Sequence, residues 1–277
     1  MDVPRNQIFF PQSLQELFGA WRRFPDAAIY AGGTGILGFQ GQKSITLPSN
    51  IISLERLEEL YQITKTERYL EIGAMVTLND IINLGKNVPE AFTLALKNSA
   101  GPQRMNLATL GGNICRRALR RDTAAALIAL DARYELRTAQ QARWISAFRF
   151  SQSDAPAINS QELLTRIRIP LELWNYSRYK KMRDPYEENP GGSVAFIARI
   201  EKNALMDIRV VCAGETILRD KNSEAFLVGK RLPLDRRVAA QFTEFWRVCL
   251  ETAEKIDAMP RAVMLNFIES AIVALSG

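Results

Sequence analysis

The chain has 277 residues, 47% hydrophobic and 24% charged, with a net charge of +6 and no histidine. This length and balance allow two or three compact units whose cores need no disulfide or structural metal. The missing histidine excludes Ser-His-Asp and Cys-His catalysis and the commonest metal ligand, so a cofactor has to supply any difficult chemistry. Cys115, Cys212 and Cys249 are scattered, with no C-x-x-C. They read as reduced thiols of a cytoplasmic protein, with no metal site in this chain, iron–sulfur and zinc included. No run approaches the ~20 apolar residues of a membrane span. Met1-Asp2-Val3-Pro4-Arg5 lacks the plan of a secretory signal. The surplus positive charge fits an anionic cofactor or acidic partner surface better than nucleic acid, since no zinc-finger spacing, heptad array or aromatic-basic motif accompanies it.

In chain order, Ser13 is placed to cap a helix carrying Leu14, Leu17, Phe18 and Trp21 on one face. Ala27-Ala28-Ile29-Tyr30 is a short strand running into Ala31-Gly32-Gly33-Thr34-Gly35. Ser44–Leu47 and Asn50–Leu54 read as strands on either side of Pro48, and Tyr69–Ala74 alternates as a half-buried strand should. Thr77 caps a helix with Leu78, Ile81, Ile82 and Leu84, and a further helix covers Pro89 to Lys97, with Phe92, Leu94 and Leu96 inward. Trp21, Phe92 and Trp144 read as core aromatics.

A second glycine segment, Ala108-Thr109-Leu110-Gly111-Gly112-Asn113-Ile114, follows residues 101–107 and reads as a loop after an extended run. Glycine lets backbone approach a ligand closely, and successive N–H groups in such turns make a concave anion site to which a threonine hydroxyl adds a donor. Two such segments imply a cradle for a long phosphate-bearing cofactor. Beyond them come an alanine-rich helix over Thr123–Leu130, strands at Tyr134–Arg137 and Arg143–Ile145, and a polar loop at Ser151–Pro156. Leu163–Ile169 has strand periodicity and ends at Pro170. A basic stretch, Arg178–Arg183, then a turn at Glu187–Gly192, strands at Val194–Ile200 and Ile208–Cys212, and helices from about Val238 complete the chain.

These motifs resemble the FAD-binding medium subunit of the molybdenum hydroxylases, the xanthine dehydrogenase and carbon monoxide dehydrogenase family. The residues that carry the resemblance are Ala31–Thr34, Leu70–Ala74, Gly101–Arg104, Asn106–Ile114, Leu127–Ala132, Glu162–Leu164 and Ile169-Pro170. It implies an α+β fold of vanillyl-alcohol-oxidase-like (PCMH) type. The divisions would be an FAD-binding subdomain over 1–56, a second over 57–170, and a C-terminal α+β domain over 171–277.

The resemblance also implies roles. Ile29, Tyr30, Ala31, Gly32, Gly33, Thr34, Gly35 and Ile36 would form the first phosphate loop. Thr109, Gly111, Gly112 and Asn113 would complete the cradle, and Asp122, nine positions beyond Asn113, would accept from ribityl or ribose hydroxyls. Leu164 would pack near the flavin ring, with Lys180, or Lys181 in the neighbouring register, favouring charge on the reduced flavin. Molybdopterin would sit on a large partner subunit and two [2Fe–2S] clusters on a small one, with NAD or another molecule accepting electrons. Gly35 stands where the family commonly has Asp, Ser99 where the eukaryotic enzymes place an aromatic. Arg116, Arg117, Arg120 and Arg121 occupy a segment that is usually small and neutral. These departures also admit a relative that keeps the fold, lacks flavin and serves assembly.

Overall fold

The structure is a computed structural model that describes residues 7–37, 47–115, 122–152, 158, 161–182, 192–253, 256 and 258–276. The expected strand at residues 44–46, the four arginines of 116–121, the loop at 153–156 and the turn at 187–191 lie outside the described residues. The chain divides into two compact units. The first comprises residues 1–85, 100–117 and 133–170, and the second 86–99, 118–132 and 171–277.

In the first unit, the strands Gln7–Phe9 and Ala28–Tyr30 flank Asn50–Ser53 in a three-stranded parallel sheet. The helix Leu14–Arg23 connects two of them; Ser13 caps it by accepting from the Glu16 N–H at 3.2 Å. Its apolar face sends Leu17 and Phe18 into a core with Ile52, Leu54, Leu57 and Leu60. Each such fully buried side chain stabilises by about 1.5–3 kcal/mol. Trp21 is only partly buried against this cluster. A five-stranded antiparallel sheet follows, in the order Ile63–Lys65, Tyr69–Gly73, Leu163–Pro170, Arg133–Arg137, Ala142–Ser146. On its polar face Arg168 pairs with Glu71 at 2.6 Å and lies 4.2 Å from the Trp144 ring centre. Trp144 is therefore half-buried beneath a guanidinium, a correction to its expected place in the core.

The second unit is built on an antiparallel sheet ordered Ile217–Leu218, Ala204–Ala213, Gly192–Glu201, Tyr176–Met182. Val194, Phe196 and Val210 face Phe242 and Trp246 of the helix Arg236–Glu251 and Met264 and Ile268 of the helix Ala258–Val273. The opposite face packs against the helix Ala124–Ala129, every residue of which is buried. Both faces being covered, the two central strands read as nearly continuous apolar runs rather than as alternating ones. The helix Glu90–Lys97 packs on the Tyr176–Met182 strand and buries Phe92 and Leu96, whereas Leu94 stays half-buried.

Candidate functional site

The first glycine segment leaves the parallel sheet at Tyr30 and turns at once into a single helical turn, Thr34–Leu37. Gly33 makes the turn with φ of +71°, and its carbonyl accepts from Leu37 N–H at 2.9 Å and Ile36 N–H at 3.1 Å. Only glycine takes that φ without strain. Gly32 is demanded by proximity instead: a Cβ there would lie 1.7 Å from the Leu107 carbonyl oxygen and 3.4 Å from the Thr109 methyl. The two glycine segments therefore meet. Among the described residues, the N–H groups of Gly33 and Gly35 and the Thr34 hydroxyl have no hydrogen-bond partner. Gly33-Thr34-Gly35-Ile36-Leu37-Gly38 satisfies the letter of G-x-G-x-x-G, a correction to the expectation that the chain holds no such match. A match to the letter alone is weak evidence for a Rossmann unit.

The second glycine segment is a helix, not the loop expected. Leu110–Cys115 is helical, and the residues before it form a helical turn, Pro102–Met105, rather than a strand. Thr109 caps the helix: its hydroxyl accepts from Gly112 N–H at 3.1 Å and its carbonyl from Asn113 N–H at 3.0 Å. Gly111 donates to the Ala74 carbonyl at 2.8 Å, and a Cβ on it would lie 2.8 Å from that of Ala74. Close packing thus overrides the low helix propensity of a glycine pair. Thr109 and Asn113 are buried, at 4% and 5% exposure. The helix packs against the strand Leu163–Pro170, in which Leu164 is buried opposite Leu136.

In the second unit, Asp122 is 2% exposed and pairs with Lys181 Nζ at 2.7 Å; the same ammonium donates to the Ser99 carbonyl at 3.0 Å. Tyr179, two positions earlier on the same strand face, donates its hydroxyl to the Asp122 carbonyl at 2.5 Å. Burial pushes the Tyr179 phenol well above the usual tyrosine range, with the Ser193 hydrogen bond pulling it back and Asp122 adding to the rise. Lys180 points to the other strand face and is exposed. It lines a cleft of about 650 Å³ together with Arg178 and Asn266. Of the two lysines at this register, Lys181 is the fixed one. Nothing in the sequence pattern marks the Asp122–Lys181 pair, because its partners are brought together by the tertiary fold alone. Cys115 is exposed, while Cys212 is fully buried with its thiol pushed up by burial, as an inert core residue.

The family described as the FAD binding domain in molybdopterin dehydrogenase matches residues 4–172. The chain is 25% identical over 248 residues to the nicotine 6-hydroxylase medium subunit of Paenarthrobacter nicotinovorans, covering 87% of this chain and 86% of that one. It is 26% identical over 241 residues to the carbon monoxide dehydrogenase medium chain of Hydrogenophaga pseudoflava, covering 83% and 82%. A solved carbon monoxide dehydrogenase from the latter organism superposes with a TM-score of 0.80 at 25% identity, over 99% of this chain and 98% of that one. Quinoline 2-oxidoreductase from Pseudomonas putida 86, at 22% identity, shares the fold with a TM-score of 0.82 over 100% and 98%. The expected α+β FAD-binding fold is borne out, and the chain belongs to the family of FAD binding domains of the molybdopterin dehydrogenases.

Proposed function

We propose that this chain is the FAD-carrying subunit of a molybdenum hydroxylase complex of the xanthine dehydrogenase type, an oxidoreductase component. It would receive electrons from [2Fe–2S] clusters on a small partner subunit and deliver them to NAD or another acceptor, substrate being oxidised on a molybdopterin-binding large subunit. The reading places the complex in the cytoplasm. FAD supplies the electron-carrying chemistry when bound. The chain's own residues hold it: Gly32, Gly33, Thr34 and Gly35 on one side of the cradle and Thr109, Gly111, Gly112 and Asn113 on the other. The neighbouring backbone of Ile29, Tyr30, Ala31 and Ile36 shapes the turn. Asp122, Leu164 and Lys180 complete the proposed set.

One observation carries this reading. Gly32 seats directly on the Leu107 carbonyl and against the Thr109 methyl, and the N–H groups of Gly33 and Gly35 that follow it have no partner among the described residues. N–H groups in that arrangement suit a pyrophosphate, which only accepts hydrogen bonds here. The test is direct: the purified chain should show flavin absorption bands, or acquire them with one equivalent of FAD. A colourless protein that takes up no FAD refutes the reading. One observation favours a flavin-free assembly role. The Asp122 carboxylate, assigned to cofactor hydroxyls, is already neutralised by Lys181. The same titration decides between the two.

A further inference from the structure

The side chain of Tyr30 is absorbed by nothing described so far. Its phenol oxygen lies 2.1 Å from the point where a Cβ on Gly33 would stand, and its Cζ lies 2.6 Å from that point. The ring therefore occupies the space that any other residue at position 33 would need. It closes over the turn whose Gly33 and Gly35 N–H groups and Thr34 hydroxyl lack partners among the described residues. The Tyr30 hydroxyl lacks one as well, although the side chain is half-buried.

We infer that Tyr30 contributes a fourth donor, its phenol O–H, to the phosphate cradle. Four donors around one tight turn, none with an acceptor among the described residues, call for an anion with several acceptor oxygens. A phenol hydrogen-bonded to a phosphate oxygen is a charge-assisted bond, stronger than a neutral one. Gly33 has two reasons to be glycine under this assignment, its positive φ and the phenol that it must admit.

The inference rests on the FAD reading, and the test separates the two. FAD is titrated into the full chain, wild type and Tyr30→Phe, with binding read by quenching of flavin fluorescence. The ³¹P resonances of the bound pyrophosphate are recorded for both. Phenylalanine keeps the ring against Gly33 and deletes only the hydroxyl. The expected result is an FAD Kd roughly ten- to hundred-fold higher, the usual effect of losing one hydrogen bond to a charged group, together with displaced ³¹P resonances. A Tyr30→Phe chain that binds with wild-type Kd overturns the assignment. So does a raised Kd with unmoved ³¹P resonances, which would make the ring a prop and no more. Tyr30→Leu, which removes ring and hydroxyl together, should bind at least as weakly as Tyr30→Phe; tighter binding overturns the assignment too. A wild-type chain with no saturable FAD binding fails the underlying reading instead.

Discussion

Replacing Gly32 by alanine tests the cradle at its tightest point. The added Cβ would lie 1.7 Å from the Leu107 oxygen and 2.8 Å from its carbonyl carbon, where ordinary contact begins at 3.4 Å. Relief needs 3.4 − 1.7 = 1.7 Å of separation between two backbone segments. Leu107 cannot yield freely. Its N–H donates to the Arg104 carbonyl at 3.1 Å, and the next carbonyl, that of Ala108, accepts from Leu78 N–H at 2.9 Å. Overpacking of this kind costs about 1–3 kcal/mol, and each backbone hydrogen bond lost adds about 1 kcal/mol. Gly32→Ala should therefore destabilise the first unit by about 3 kcal/mol, a fall in Tm of roughly 6–12 °C. Urea unfolding followed by tryptophan fluorescence reads it, since Trp21 and Trp144 report on that unit. Gly101→Ala is the control: a Cβ there meets nothing within 4 Å, so the change should stay below about 0.5 kcal/mol. A Gly32→Ala chain as stable as that control, binding FAD like wild type, would refute the close approach of the two segments.

Gly19 sits inside the helix Leu14–Arg23 with open space around its missing Cβ, so Gly19→Ala should raise stability by about 0.5–1 kcal/mol; a lower urea midpoint contradicts this. Lys181→Met removes the ammonium paired with the buried Asp122 carboxylate and should cost about 3 kcal/mol. The double variant Asp122→Asn/Lys181→Met should regain most of that, and a double-mutant cycle with no coupling between them would show the pair to be inert. Burial lifts the Glu224 carboxyl above the ordinary carboxylate value, while Arg219 and the Val210 N–H pull it back. The folded state thus holds this proton more tightly than the unfolded chain. Its contribution is fully present below the ordinary carboxylate pKa and is lost as pH rises through the folded-state value. Stability measured across that window should therefore fall with pH less steeply in Glu224→Gln than in wild type, and parallel curves would contradict the assignment.

The parts of the fold legible in the sequence are those that local chemistry decides. Ser13 and Thr77 cap helices as their spacing predicts, each accepting from the N–H three residues on. Tyr69–Gly73 pairs along its whole length with residues 166–170 of the strand Leu163–Pro170. Phe92 and Leu96 fall on the buried face of their helix while Leu94, between them, does not, as a period of 3.6 requires. The failures differ in cause. Gly111 and Gly112 look like turn residues because glycine disfavours helices, yet contact with Ala74 and the Thr109 cap impose a helix on them. Ser151 and Gln152 read as loop but end the helix Ala147–Gln152. The helix Lys221–Leu227 lies outside the expected elements although Asp220 carries its cap, accepting from Asn222 and Ser223 N–H. That signal was present and local.

The candidate site divides along the same line. Its glycines were legible because a positive φ and a close backbone approach leave a mark on residue type. Asp122, Lys181 and Ser99 stood out only through the resemblance, and Tyr179 not at all, since each is an ordinary residue until the fold assembles them. Their assembly bears on the chemistry this chain can do. With no histidine in the chain, proton transfer near neutrality would need a carboxyl, thiol or phenol shifted toward it and free to exchange. The Tyr179 phenol and Cys212 thiol are shifted away instead, pushed further up by burial. Glu224 is raised, but Arg219 grips both its oxygens and the Val210 N–H one of them. Asp122 is held by Lys181. Among the described residues, these groups are occupied in holding structure and fixing charge. A chain so composed suits binding a redox cofactor and setting the field around it.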